Sequence, residues 1–201
     1  SARQSWALAR AQLDRALESP EWTASIEQER AGGYRDKPPA VIVDVDETVL
    51  DNSAYQARLL LEGESFDPET WNAWCREEKA PSVPGALGFA EHATSRDVTV
   101  IYVTNRDHEV EGATRDNLQE LGFPVDREED RIYTKHEREG WGSDKTSRRR
   151  AVAEKYRILL LVGDNLGDFV GETEVSPSRR SEKVREWRER WGTRWIVLPN
   201  P

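Results

Sequence analysis

The stretch 41–52 constrains this chain most: the apolar run Val41-Ile42-Val43 meets two aspartates one residue apart, Asp44 and Asp46. A short β-branched run bounded by breakers, here Pro38-Pro39, reads as a buried parallel strand over 40–45. Asp44 then stands at the carboxyl end of that strand, where open α/β sheets place their ligands. Side chains alternate along a strand, so Asp44 and Asp46 can face the same side of the loop that leaves it. Two carboxylates this close repel each other, and a cation or a shared proton is the usual remedy.

Two further runs repeat the pattern. Residues 98–103 end in Thr104-Asn105-Arg106, and residues 158–162 end in Gly163-Asp164-Asn165-Leu166-Gly167-Asp168-Phe169. Helical segments lie between them, at 85–95, 111–121 and 143–156, and short strand-like segments at 132–133 and 195–198. Strands alternating with helices predict an α/β fold, a parallel sheet with helices on both faces. Asp44 and Asp46, Thr104 and Asn105, Asp164 and Asp168 then converge at one edge of the sheet.

The flanks complete the plan. Residues 1–36 read as two helices packing on the core or the cap, the second opened by Ser19-Pro20-Glu21 and closed by Gly32-Gly33. The core is 37–201. Within it an excursion at about 52–80 carries a helix at 54–61 and another, opened by Asp67-Pro68-Glu69, that bears Trp71 and Trp74. Residues 127–131 read as a charged loop, Pro177 as part of a polar loop, and 182–191 as a charged helix. Arginines between Arg179 and Arg194 alternate there with Glu182, Glu186 and Glu189, the pattern of a solvated face.

A net charge of −9 disfavours nucleic acid polymers and anionic membranes as partners, but leaves room for a small anion in a local basic pocket. The single cysteine, Cys75, excludes an intramolecular disulfide and reads as a packed thiol. No apolar run is long enough to span a membrane. Methionine is absent even at position 1, which implies a processed or trimmed chain whose signal peptide would already be gone.

The converging set supports phosphoryl chemistry. A carboxylate such as Asp44 can attack phosphorus and split one hard displacement into two. Asp46 is placed to protonate the leaving oxygen and later to take a proton from water. A phosphate facing carboxylates needs a hard cation, and an all-oxygen set favours Mg²⁺. Lys145 can supply fixed positive charge, and Thr104 and Asn105 hydrogen-bond donors.

At this point the residues resemble a known family. Asp44-Val45-Asp46-Glu47-Thr48, Thr104-Asn105-Arg106, Lys145 and the segment from Gly163 to Phe169 are similar, in that order, to motifs I–IV of the haloacid-dehalogenase (HAD) superfamily. The Asp51-Asn52-Ser53 continuation and the Asp164…Asp168 pair bring the wording nearest to the four-aspartate, class C bacterial acid phosphatases, which include lipoprotein nucleotidases. The resemblance runs from about residue 40 to 200. It implies a HAD-like Rossmannoid core with a small helical cap, and Mg²⁺-dependent hydrolysis of phosphomonoesters through an aspartyl-phosphate. Asp44 is then nucleophile and metal ligand, and Asp46 the acid/base and a ligand through its carbonyl. Asp164 binds the metal directly and Asp168 through water, while Thr104, Asn105 and Lys145 bind phosphate. A cap aromatic, here Trp71, stacks on the substrate, so nucleoside monophosphates are the expected partners. The resemblance also implies an extracytoplasmic place (periplasm, outer-membrane lipoprotein or secreted) and admits a homodimer.

Each residue has a plainer reading. Asp-x-Asp alone can be a turn, although a calcium loop is disfavoured by Thr48 and Val49 at its fifth and sixth positions. Lys145 can be a helix-start lysine, Thr104-Asn105 a strand-end cap and Asp168 a helix N-cap. Arg106 divides between a substrate contact and an ion pair with Asp107 or Glu111. His92, His108 and His136 lack metal spacing and read as surface or structural. The alternative function is a catalytically weak storage or phosphate-binding relative, against which the intact Asp44 speaks.

Overall fold

The computed structural model describes residues 1–125 and 129–200. Its five-stranded sheet has the order β3-β2-β1-β4-β5, and every pairing is parallel. The strands are β1 (Pro39–Val43), β2 (Thr99–Asp107), β3 (Ile132–Lys135), β4 (Arg157–Gly163) and β5 (Trp195–Val197). The helices are α1 (Ala2–Leu17), α2 (Ile26–Ala31), α3 (Ser53–Glu62), α4 (Pro68–Arg76), α5 (Ala86–Thr94), α6 (Glu111–Glu120), α7 (Thr146–Lys155) and α8 (Pro177–Glu186). From β1 the chain builds outward through β2 and β3 on one side, then through β4 and β5 on the other. The switch point lies between β1 and β4, and the crevice above their carboxyl ends is where such sheets bind ligands.

The continuous apolar runs are explained by burial on both faces. Val41, Val43, Val100 and Tyr102 join α1, α5 and α6 in one cluster, while Ala40, Ile42, Ile101 and Val103 join α7 and Trp195 in the other. β1 and the apolar part of β2 thus alternate between two cores, with no face left for polar residues, while in β4 Leu159 and Leu160 both join the first core at a register shift against β1. α1 contributes Trp6, Ala9, Leu13 and Ala16, all buried, to the first core. Among the described residues, no helix is long and apolar enough to cross a membrane.

Two helix assignments need correction. Ser19-Pro20-Glu21 does not open α2; Ser25 does, its hydroxyl accepting from Gln28 N at 3.2 Å. Residues 19–25 are instead tied to β4, through Trp22 Nε1 to Leu159 O at 2.8 Å and Ala24 N to Ile158 O at 2.7 Å. These tertiary bonds override the local helix-start signal. Likewise α8 runs over Pro177–Glu186, with Pro177 at its first turn and not in a loop. Beyond it the chain turns so that Trp187 and Trp191 pack on Trp195 at 5.9 and 5.0 Å. The arginines nearby are not all solvated. Arg190 is buried and paired with Glu29, and Arg194 lies over the Trp22 ring at 4.5 Å. Of the loop expected at 127–131, Arg127 and Glu128 lie outside the described residues.

Candidate active site

Asp44 follows β1 directly, its backbone N donating to Val162 O of β4 at 2.9 Å. That bond fixes it at the switch point. The next residues form a tight flap: Val49 N and Leu50 N both reach Val45 O at 2.9 Å, and Glu47 adopts a positive φ of 56°. The flap leads into α3 and α4, and the returning leg pairs with it, Val83 N donating to Val49 O at 2.9 Å. The excursion thus leaves and re-enters beside Asp44 and Asp46.

Lys145 precedes α7 and is buried between two carboxylates. Its Nζ donates to Asp44 Oδ1 at 2.5 Å and Asp168 Oδ1 at 2.6 Å. Asp168 is fixed again by Asn165 N, which donates to Oδ2 at 2.9 Å. Gly163 makes this approach feasible, since a Cβ there would lie 2.2 Å from Asp168 Oδ2. Asp164 completes a trio with Asp44 and Asp168, whose ligand oxygens lie within 4.8 Å of one another. Asn200 Nδ2 donates to Asp164 Oδ2 at 2.7 Å, bringing the chain's end to the site.

The electrostatics follow from one ammonium serving several carboxylates. Burial, with Asp168, Asp164 and Asp46 adding to it and Lys145 opposing, holds the Asp44 carboxyl well above the usual range. Burial, reinforced by Asp168, pushes Asp164 up to about 6. Burial acts against the Lys145 charge, but Asp168 and Asp44 outweigh it and keep the ammonium protonated. Excess negative charge among oxygen donors is the chemistry a divalent cation relieves, so the trio fits such an ion.

Asp46 is held apart from that trio. Arg106, almost wholly buried, grips it through Nη2 to Oδ1 at 2.8 Å and Nε to Oδ1 at 3.0 Å. Asn52 Nδ2 adds a bond at 2.9 Å and Thr104 Oγ1 a longer one at 3.4 Å. Asn52 in turn accepts from Trp74 Nε1 at 2.8 Å, which links the excursion to the acid. The partner of Arg106 is therefore Asp46, neither Asp107 nor Glu111, because its side chain points inward from the end of β2.

A cavity of about 370 Å³ opens over these groups, lined by Asp44, Asp46, Asn105, Lys145, Asp164 and Asp168 among others. Asn105 is exposed to it, yet its Oδ1 accepts from Arg148 Nη2 at 2.6 Å and its Nδ2 donates to Ser143 O at 3.1 Å. Thr104 is fully buried, with its hydroxyl turned to Asp46, and does not line the cavity. Neither does Trp71, which is half-buried, edge-on to Tyr55 at 5.1 Å, with the Arg106 guanidinium 5.6 Å from its ring centre.

Sequence reasoning assigned no role to Asn52 or Arg148. Arg148 is completely buried, pushed down to about 10 by burial, and also reaches Thr104 O. Asn52 stood in a quoted motif, but its bond to Asp46 had no signal of its own. Cys75 is buried and its thiol pushed up to about 12 by burial, a packed and inert group. His92 pairs with Asp14 and His136 with Asp107. His108 approaches Glu111 and Glu137 closely enough to form a second trio. There Arg115 already holds Glu111 at 2.7 Å and Arg138 holds Glu137 at 3.3 Å.

Comparison with known proteins places this geometry. Residues 8–201 match the profile of the HAD superfamily, subfamily IIIB (acid phosphatase). Acid phosphatase 1 of Solanum lycopersicum is 29% identical over 153 residues, covering 71% of this chain and 55% of that protein, so the chain spans about half the length of this curated relative. The Class C acid phosphatase from Bacillus anthracis matches with a TM-score of 0.83 at 31% identity, covering 100% of this chain and 76% of that one; its tungstate-bound structure matches equally. The Pnkp1/Rnl/Hen1 RNA repair complex, at 13% identity and a TM-score of 0.53, shares the fold alone. With nearly its whole length matched and its acidic residues gathered at the switch point of the sheet, this chain belongs to subfamily IIIB of the HAD superfamily, the acid phosphatases.

Proposed function

We propose that this chain hydrolyses phosphomonoesters, nucleoside monophosphates among them, through an aspartyl-phosphate on Asp44. The observation that carries the reading is the buried Asp44–Lys145–Asp168 arrangement beside a second, separately held carboxylate, Asp46. Asp44, at the strand end, attacks phosphorus and expels the alcohol. Asp46 gives the leaving oxygen its proton and then takes one from the water that cleaves the acyl phosphate. The Arg106 fork orients that carboxylate. Lys145 and Asn105 face the cavity as donors to phosphoryl oxygens. A phosphate contact from Thr104 requires its hydroxyl to turn away from Asp46.

Asp44 and Asp164 would hold Mg²⁺ directly, with the backbone carbonyl of Asp46, and Asp168 through water, completing the set. The cation supplies positive charge that neutralises facing carboxylates and phosphate. The tungstate bound by the Bacillus anthracis relative, a tetrahedral oxyanion, supports a phosphate-sized site. We infer an extracytoplasmic location from the family alone.

The test is phosphate release from p-nitrophenyl phosphate, with and without chelator, by wild type and Asp44→Asn. Wild type should turn over only with the cation. Asp44→Asn should keep its fold and its phosphate binding but fall below about a hundredth of wild-type kcat, since residues that act as a unit cost far more than that. Retention above that level removes Asp44 as the nucleophile.

A further inference from the structure

The catalytic cavity is acidic. Asp44, Asp46, Glu47, Asp164, Asp168 and Glu174 all face it, and among the described residues its cations are Lys145 and Arg180. Lys145 is committed to Asp44 and Asp168 at 2.5 and 2.6 Å. Arg180 is not committed in that way. It projects from α8, and its Nη1 donates to Thr173 O at 3.0 Å, which anchors one corner of the guanidinium. Among the described residues no ion pair ties it to Glu174 on the same wall, and its Nε and Nη2 meet no protein acceptor. A half-buried guanidinium with unused donors, aimed at an acid-lined cavity, is placed to meet an anion.

The shape of the cavity says where that anion belongs on a substrate. Its volume of about 370 Å³ exceeds what a phosphoryl group fills, so part of the leaving group is inside it. Ser143, Gly167, Thr173 and Glu174 line both this cavity and a larger groove of about 1040 Å³ that runs on to Trp187. Thr173 and Glu174 belong to the segment that leads into α8, so Arg180 stands where the cavity passes into the groove. A leaving group with a negative charge of its own would be repelled by the carboxylates unless a local cation met it.

We propose that Arg180 is a specificity-determining residue that binds a second anionic group on the leaving group, so that bis-anionic phosphomonoesters, such as nucleoside bisphosphates, are favoured substrates. This rests on the phosphomonoesterase reading and names the substrate class of that same site. The guanidinium donates through Nε and Nη2 to the second phosphate or carboxylate, while Nη1 stays on Thr173. The reacting phosphoryl group falls to Lys145, which loosens its hold on Asp44 or Asp168 to meet it, so the two cations divide the two anions of the substrate.

The test is calorimetric binding of adenosine 5′-monophosphate and adenosine 3′,5′-bisphosphate, with Mg²⁺, to Asp44→Asn protein and to the same protein carrying Arg180→Ala or Arg180→Lys. The two ligands share ring and sugar and differ by one phosphate. Arg180→Ala should weaken the bisphosphate about tenfold more than the monophosphate, the low end for a charge-assisted hydrogen bond. Arg180→Lys should restore part of the difference, and added salt should shrink it only where a cation is present. Equal weakening of both ligands, or of neither, overturns the proposal, the first by making Arg180 a phosphoryl contact or a structural group. Melting curves of each variant identify loss of fold, and Arg180→Lys then carries the test. Turnover of p-nitrophenyl phosphate by wild type is measured alongside. Its failure would count against the phosphatase reading, while the binding comparison still decides the role of Arg180.

Discussion

Replacing Arg106 by methionine removes the fork from Asp46 while keeping an unbranched apolar stem. Arg106 has 1% of its side chain exposed and Asp46 has 22%. The substitution deletes bonds to Asp46 at 2.8, 3.0 and 3.3 Å, a bond to Thr114 Oγ1 at 3.1 Å and a long one to Asn52 Oδ1 at 3.4 Å, an atom that still accepts from Trp74 Nε1. Thr114 keeps its own bond to Val110 O at 2.8 Å, so the main loss falls on Asp46. Breaking a buried pair from one side costs about 3–5 kcal/mol. Asp46 retains Asn52 at 2.9 Å and some access to water, which lowers the cost to about 2–3 kcal/mol. For a chain of this size that is a fall in Tm of about 4–12 °C, read by thermal circular dichroism. Because Arg106 does not line the cavity, kcat should fall with KM nearly unchanged, through misplacement of the acid. A double-mutant cycle with Asp46→Asn isolates the pair. A coupling below about 0.5 kcal/mol would refute the fork as the support of Asp46.

Other perturbations address separate parts of the site. In Gly163→Ala the new Cβ, 2.2 Å from Asp168 Oδ2, should push that carboxylate off Lys145 and lower kcat/KM about a hundredfold or more. Gly112→Ala, whose Cβ meets nothing within 4 Å in α6, should cost nothing, and similar activities for the two would refute the steric argument. The metal-free protein should lose stability as pH rises. Asp164, at about 6, and Asp44, also raised, bind protons in the folded state that the unfolded chain has released above about pH 4. That contribution is full below pH 4 and lost on passing through about 6. Melting curves in chelator from pH 4.5 to 7 should therefore fall, Mg²⁺ should oppose the fall, and Asp164→Asn should flatten it. An unchanged slope in Asp164→Asn would sink the assignment. Trp71 lies outside the cavity, so only a substrate that extends beyond it meets the ring; for such a nucleoside monophosphate Trp71→Ala should raise KM several-fold, in keeping with about 1–3 kcal/mol per stacked base, and leave a small aliphatic phosphate little changed. Equal responses would make Trp71 packing for Tyr55 and Arg106 alone.

What was legible in the sequence was whatever a short window determines. Val41, Ile101 and Leu160 lie in runs with no polar alternation because both faces of their strands are covered. Strand direction then sends the polar residues that follow to one edge. Asp67-Pro68 opened α4 as a capped start should, Asp67 Oδ1 accepting from Glu69 N at 2.9 Å. What was hidden depends on residues far apart in the chain. Arg106 meets Asp46 sixty positions away, and nothing beside Arg106 distinguishes that partner from Asp107 or Glu111. Ser19-Pro20 carries a sound helix start, yet Trp22 and Ala24 bond to β4 and win. Arg190 and Arg194 share a local pattern with solvated arginines, and only distant partners separate the two kinds: Glu29, Trp187 and Trp195 for Arg190, Trp22 and Thr23 O for Arg194.

Charge balance ties the site to the rest of the molecule. The chain carries −9 overall, and the carboxylates of Asp44, Asp164 and Asp168 share the Lys145 ammonium within a buried space. A phosphate dianion approaching that arrangement adds negative charge where negative charge is already in excess. Lys145 cannot serve the incoming oxygens without loosening its hold on Asp44 or Asp168, and either carboxylate would then be buried with less compensation. Asp44, Asp164 and Asp168 would hold a divalent cation, which would supply the positive charge these carboxylates otherwise draw from Lys145, leaving the ammonium available to the phosphoryl group. On the proposed reading, metal and substrate are therefore coupled ligands, each raising the affinity of the other by the same factor. The Asp46 carboxylate stands outside the trio, held by Arg106 and Asn52, with a longer bond from Thr104. On the proposed reading that separation divides the two roles, Asp44 as the nucleophile beside Lys145 and Asp46, two residues on, as the group that handles the proton.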